Sequence, residues 1–122
     1  MKAKILIVDD SAMARRGVRH VLESAGYDVV EAEDGLVALE GYFLDKPDLV
    51  VLDLVMKGMN GLDVLKKLQE MDAGVRVLVV SADVQDSSRE LAVSGGASGF
   101  LTKPVDRAGL LTAVAKALEA TA

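Results

Sequence analysis

Acidic residues stand at the ends of apolar runs in this chain, where charge is costly. Asp53 follows Leu49-Val50-Val51-Leu52 and precedes Leu54-Val55-Met56. Such a run reads as a strand buried on both faces, and an ionised carboxylate there is strongly disfavoured unless a partner compensates it. Asp9-Asp10 closes a second run, Ile5-Leu6-Ile7-Val8. Val77-Leu78-Val79-Val80 ends in Ser81, and Gly99-Phe100-Leu101-Thr102 ends in Lys103-Pro104. If the strands are parallel, these acids, the hydroxyl and the ammonium gather at one sheet edge. Three neighbouring carboxylates repel one another, so a cation must join them or one must stay protonated. Lys103 supplies one positive charge, which leaves negative charge in excess. A hard ion such as Mg2+ suits an all-oxygen ligand set and keeps positions open for phosphate oxygens. Flanked by that ion and Lys103, Asp53 is a candidate nucleophile toward phosphorus. Phosphoryl transfer asks the protein mainly for positioning and charge neutralisation.

The elements that must position these groups are legible in the spacing. Strands are predicted over 4–8, 28–32, 48–53, 75–81 and 99–102. Helix one carries Val18, Val21, Leu22 and Ala25 on one face, with Ser11 as its cap and Gly26 as its stop. Asp34-Gly35 opens helix two, which is expected to bury Leu36, Leu39 and Tyr42 or Phe43 and to end at Lys46-Pro47. Helix three buries Leu62, Leu65 and Leu68. Helix four, over 85–94, holds three serines and runs into Gly95-Gly96, a weak helical composition. Helix five buries Leu110, Val114, Ala117 and Leu118. Strand two is short and polar, which places it at an edge. Lys57-Gly58 and Asn60-Gly61 read as flexible pairs in the loop after strand three. Arg15, Arg16 and Arg19 read as the solvated side of helix one, and His20 as a solvated residue. Met56, Met59 and Met71 read as packing.

Strand and helix alternate five times with short connections. Right-handed crossovers then give a doubly wound α/β fold, a parallel sheet with helices on both faces. Ligands of such sheets bind beyond the carboxyl ends of the strands, near the point where strand order reverses. Asp9, Asp10, Asp53, Ser81 and Lys103 all fall at carboxyl ends in this assignment. The 122 residues suffice for one domain, 1–122, and 51% hydrophobic content supports a real core. Only 3% are aromatic, so that core is aliphatic. A net charge of −5 argues against direct nucleic-acid binding. Cysteine is absent, which excludes thiol catalysis and thiolate metal sites. No apolar stretch approaches the roughly 20 residues of a membrane span. The apolar run at the N-terminus is too short for a signal peptide, so a cytoplasmic location without membrane association is expected.

Taken in order, Asp9-Asp10, Asp53, Ser81-Ala82 and Lys103-Pro104 on their respective strand ends resemble the receiver domain of bacterial response regulators, along essentially the whole chain. The opening Ile-Leu-Ile-Val-Asp-Asp and the segment from Met56 to Gly61 add to the likeness. The resemblance implies a flavodoxin-like three-layer sandwich with a five-stranded parallel sheet, order 2-1-3-4-5, and five helices. It implies a phosphorylation-activated switch of a two-component or phosphorelay system. Asp53 would accept a phosphoryl group from a histidine kinase or histidine phosphotransfer protein. Mg2+ would be held by Asp10 directly, by Asp9 partly through water, by Asp53 and by the backbone carbonyl of Val55. Lys103 would pair with the phosphoryl group, and Ser81 would donate a hydrogen bond to it. Phe100 would rotate inward as the hydroxyl moves, reshaping the face of helix four, strand five and helix five for a downstream protein target. The protein would be a monomer or a weak phosphorylation-dependent dimer. The Lys103-Pro104 bond is often cis in this family.

The chain departs from the family's pattern at three points. Lys57 stands where proline is common, and loss of the fixed φ is expected to loosen the loop. Phe100 lacks the hydroxyl of the tyrosine often found there, so the switch would act by packing alone. Val55 and Asp83 occupy positions implied to tune phosphate lifetime. Competing readings are a Mg2+-dependent aspartyl-phosphate phosphatase, a flavin-binding module on the same architecture, and a receiver fragment of a larger regulator. Val55 weighs against the phosphatase, which needs an acid two residues after its nucleophile. Asp9-Asp10 would repel a flavin phosphate. No output domain follows helix five within these residues.

Overall fold

The computed structural model describes residues 2–82 and 86–119. Its elements alternate as β1 (Lys4–Val8), α1 (Ala12–Ser24), β2 (Asp28–Ala32), α2 (Gly35–Asp45), β3 (Leu49–Leu52), α3 (Gly61–Met71), β4 (Val77–Ser81), α4 (Asp86–Ser94), β5 (Gly99–Thr102) and α5 (Arg107–Glu119). All strand pairs are parallel, in the order β2-β1-β3-β4-β5. This is the expected doubly wound sheet, with β2 at an edge.

The pleat sorts each strand's side chains into two aliphatic cores. Leu6, Val8, Val50, Leu52, Val77 and Val79 pack with Ala38 and Tyr42 of α2, Val64, Leu65 and Leu68 of α3, and Ala92 of α4. Ile5, Ile7, Leu49, Val51, Leu78 and Val80 pack with Leu22 of α1 and Leu110, Val114 and Ala117 of α5. Burial on both faces is why β1, β3 and β4 read as unbroken apolar runs. β1 pairs with β2 on one side and β3 on the other. The crossover through α1 covers one face and that through α2 the other. Strand order therefore reverses between β1 and β3, and their carboxyl ends open a crevice there.

Helix ends follow local chemistry. The Ser11 hydroxyl accepts the Ala14 N–H at 3.2 Å, and Asp34 Oδ1 accepts the Val37 N–H at 2.9 Å, so both act as N-caps. After α1, the Tyr27 N–H reaches Leu22 O at 3.1 Å and the Gly26 N–H reaches Glu23 O at 3.0 Å, with Gly26 at φ +94°. That paired arrangement satisfies the helix's last carbonyls and needs a left-handed residue, which glycine adopts without strain.

Several expectations need correction. On α2, Leu36 faces solvent at 71% exposure rather than the core, Leu39 is partly buried, and of the pair Tyr42 and Phe43 it is Tyr42 that turns inward with Gly35 and Ala38. A Cβ on Gly35 would stand 2.7 Å from Met59 Sδ and 2.9 Å from Val64 Cγ2, so the helix approaches α3 through its smallest residues. Tyr42 is fixed inward by its hydroxyl, which donates to Asp72 Oδ2 at 2.7 Å. Ala25 is an exposed cap residue rather than part of the buried face of α1. Leu62 is only partly buried, and Val64 takes the core position beside Leu65. Met71 is 45% exposed, while Met56 and Met59 pack against the core as expected. β3 is shorter than 48–53, although the Asp48 and Asp53 N–H groups still bond to Lys4 O and Val8 O at 2.8 and 3.0 Å. β4 begins at Val77 because Val75 belongs to a turn, its N–H bonded to Asp72 O at 3.0 Å. α4 is described from Asp86; Gln85, the expected first residue, lies outside the described residues.

Candidate functional site

Each acid of the crevice is delivered by a strand that ends immediately before it. Asp9 and Asp10 follow β1, Asp53 follows β3, Ser81 is the last residue of β4, and Lys103 follows β5. One oxygen from each of Asp9, Asp10 and Asp53 lies within 4.8 Å of the others. Asp9 and Asp53 are buried, at 6% and 7% exposure, and Asp10 is exposed.

Lys103 closes the group from the β5 side. Its Nζ donates to Asp9 Oδ2 at 3.0 Å and to Asp53 Oδ2 at 3.2 Å. Backbone amides hold three further carboxylate oxygens. The Ser11 N–H donates to Asp9 Oδ1 at 2.8 Å, the Val55 N–H to Asp53 Oδ1 at 3.0 Å, and the Lys57 N–H to Asp10 Oδ2 at 3.0 Å. Burial pushes the Asp53 carboxyl above the usual range. The Val55 N–H and Lys103 oppose that rise without cancelling it, and Asp9 adds to it. Burial alone would lower the Lys103 ammonium. Its hydrogen bond to Asp9 and the charges of Asp53 and Asp9 outweigh burial and hold it above the ordinary lysine value. One cation thus serves two buried carboxylates, and among the described residues no cation pairs with the third acid. An all-oxygen, net-negative cradle of this kind fits a hard divalent cation that keeps part of its water shell.

Ser81 is fully buried at the same edge, and its carbonyl accepts the Lys103 N–H at 2.8 Å. Val55 lies in the loop after Asp53, beside the acids, and is 59% exposed. Phe100 of β5 is half-buried against the core on the α2, α3 and α4 side, paired in register with Val79. The Arg89 guanidinium sits 6.0 Å from its ring centroid, within range of a cation–π contact. The Lys103-Pro104 peptide is cis. Asp83 lies outside the described residues.

Two parts of the site escaped the sequence reading. Arg15 is not on a solvated face. Its Nη1 donates to the Asp9 backbone carbonyl at 2.6 Å and its Nε to Glu31 Oε1 at 2.9 Å, and Arg19 also pairs with Glu31. The hydrogen bond from Arg19 chiefly holds the Glu31 carboxyl below its ordinary value, against the effect of its burial. The arginines thus brace the acid loop against the β2 edge. His20 is exposed, as expected. Gly61 is likewise not a point of flexibility. It is buried, and a Cβ there would stand 2.4 Å from Leu54 Cα and 2.7 Å from Asp53 O. The loop after Asp53 is packed directly onto the first residue of α3. At Lys57 the same loop is tied to Asp10 through the backbone N–H.

Comparisons with known proteins agree with this geometry. A family model described as "Response regulator receiver domain" matches residues 5–115. The chemotaxis protein CheY of Bacillus subtilis is 40% identical over 119 residues, covering 97% of this chain and 99% of that protein. The solved structure of CheY4 from Vibrio cholerae superposes with a TM-score of 0.91 at 29% identity, covering 96% of this chain and 99% of that one. CheY in a CheX-CheY-BeF3-Mg+2 complex from Borrelia burgdorferi superposes with a TM-score of 0.88 at 32% identity, covering 92% of this chain and 86% of that one.

Proposed function

The chain belongs to the response regulator receiver domain family, and from that premise we propose that it is a two-component or phosphorelay switch set by phosphorylation of Asp53. The observation that carries the reading is the convergence of Asp9, Asp10 and Asp53 with Lys103 at the carboxyl edge of one sheet. Asp9, Asp10, Asp53 and the Val55 carbonyl would hold Mg2+, which when bound supplies positive charge against the incoming phosphoryl oxygens.

The remaining roles belong to the chain. A lone pair on an Asp53 carboxylate oxygen forms the new bond to phosphorus as the donor's bond to phosphorus breaks. The leaving group is the imidazole nitrogen of a phosphohistidine, on a histidine kinase or phosphotransfer protein. Burial disfavours the ionised Asp53 carboxylate, which raises its energy before reaction. Lys103 already reaches Asp53 Oδ2 and would pair from there with the phosphoryl oxygens. Ser81 donates to one of those oxygens, and Phe100 fills the space its movement leaves. The face formed by α4, β5 and α5 then favours a downstream protein target. The added charge of about −1.5 to −2 at an already acidic edge drives the rearrangement. Reaction at Asp53 also makes the chain a participant in its own phosphoryl transfer rather than an enzyme acting on a separate substrate.

Intact-mass measurement tests the reading. Incubation with Mg2+ and a small phosphodonor should add one phosphoryl group, and a chelator should prevent the addition. No added mass, under conditions where another receiver domain reacts, would refute it.

A further inference from the structure

Lys57 is the fourth residue after Asp53, where receiver domains commonly carry proline. The structure uses the one backbone group that proline lacks. The Lys57 N–H donates to Asp10 Oδ2 at 3.0 Å and so joins the loops after β3 and β1. Asp10 needs such a restraint more than its neighbours do. Asp9 is held by the Ser11 N–H and Lys103, and Asp53 by the Val55 N–H and Lys103. Asp10 is exposed and has no cation within bonding distance among the described residues. Repulsion from two adjacent carboxylates and free side-chain rotation would both carry it out into water.

We propose that Lys57 is a positioning residue for the metal site: its backbone N–H holds the Asp10 carboxylate toward Asp9 and Asp53 before an ion arrives, and thereby tightens Mg2+ binding. The proposal rests on the reading of the acid group as a Mg2+ site. A carboxylate has about four lone-pair positions, so accepting one N–H leaves others for the ion. Ordering a mobile side chain on binding lowers affinity by about two- to tenfold, and the bond to Lys57 removes most of that cost. The Lys57 side chain works in the opposite sense, because its charge repels a cation. A residue with an N–H and no charge should therefore bind Mg2+ best. Lys57 does not have a positive φ, so a proline there conflicts with no left-handed backbone.

The test is a Mg2+ titration of the full chain, followed by backbone amide NMR shifts under conditions where every variant is folded. Lys57→Ala keeps the N–H and removes the charge. Lys57→Pro removes both. An amide-to-ester replacement at Lys57 removes the N–H alone, without proline's effect on φ. Lys57→Ala should bind Mg2+ at least as tightly as the wild type. Lys57→Pro should bind about two- to tenfold more weakly than Lys57→Ala, and the ester weaker than the wild type by a similar factor. A purely structural role would lower the metal-free unfolding midpoint and leave these affinities equal. Equal Mg2+ affinity for the ester and the wild type overturns the proposal, as does a loss in Lys57→Ala as large as that in Lys57→Pro. A wild-type chain that binds no Mg2+ overturns the reading of the site itself, and is distinguished by failing before any variant is compared.

Discussion

Gly61→Ala should be among the most damaging single-methyl additions to this chain, although glycine to alanine at a helix start is ordinarily mild. The new Cβ would stand 2.4 Å from Leu54 Cα, 2.7 Å from Asp53 O and 3.0 Å from Leu54 C. All three are backbone atoms, so no side chain can rotate away. Real Cβ contacts essentially never fall below 3.0 Å, so α3 and the loop must separate by at least the 0.6 Å difference from 2.4 Å. The Gly61 N–H bond to Leu54 O, now 3.1 Å, is strained by the same movement. Overpacking costs about 1–3 kcal/mol and a weakened hydrogen bond about 1 kcal/mol, so the loss should be about 2–4 kcal/mol. For a chain of this length that lowers the thermal midpoint by roughly 6–20 °C. Gly17→Ala is the matched control. Nothing lies within 4 Å of its Cβ position, and it sits inside α1. Alanine there should stabilise by about 0.5–1 kcal/mol through helix propensity. Urea and thermal unfolding by circular dichroism read both. A Gly61→Ala chain within about 0.5 kcal/mol of the wild type, the usual range for inert surface changes, would refute the close-packing argument.

Other outcomes follow from the charges. Lys103→Met leaves Asp9 and Asp53 buried without their shared cation; it should cost about 1–3 kcal/mol in metal-free buffer, with part recovered on adding Mg2+, as read by urea unfolding. Asp53→Asn should raise metal-free stability at neutral pH. The native Asp53 carboxyl lies above its unfolded value, so the native state holds the extra proton in the window between the two. Its ionisation then opposes folding above that window, and the gain from Asn should shrink as pH falls through the native value; unchanged stability differences from pH 7 to the acid range would contradict this. Tyr42→Phe removes the bond to Asp72 and should cost about 1 kcal/mol. The Tyr42 hydroxyl holds the Asp72 carboxyl below its ordinary value, so that stability is present above the unfolded value and should disappear as pH falls through the native one.

The architecture was legible because its signals are local and repeated. Apolar runs of four or five residues, each ended by Asp, Ser or Lys, mark strands buried on both faces and point to one shared edge. The cap at Ser11 and the stop at Gly26 need only their neighbours to be read. The face of α2 was legible only in part, because Leu36 satisfies a helical period as well as Ala38 does, and Phe43 as well as Tyr42. What decides between them is how closely Gly35 approaches Met59, a tertiary distance. Arg15 was misread for a similar reason. An arginine in a polar stretch looks solvated until its guanidinium is found against the Asp9 carbonyl. Gly61 beside Asn60 carries the signature of a turn, and only the backbone of Leu54 behind it shows that the missing side chain is what matters. At Lys57 the departure from proline was visible, but its consequence was not. The lost ring suggests looseness, whereas the gained N–H supplies a bond.

Asp53 as the residue modified is the claim on which the rest depends, and chemical trapping addresses it directly. After reaction with Mg2+ and a small phosphodonor, borohydride reduces an aspartyl phosphate to the alcohol side chain of homoserine, and peptide mass mapping locates it. The reduced residue should be found at position 53, and should be missing from the Asp53→Asn chain and from a chelator-treated sample. Reduction at another position, or equal labelling of the Asp53→Asn chain, would contradict the account.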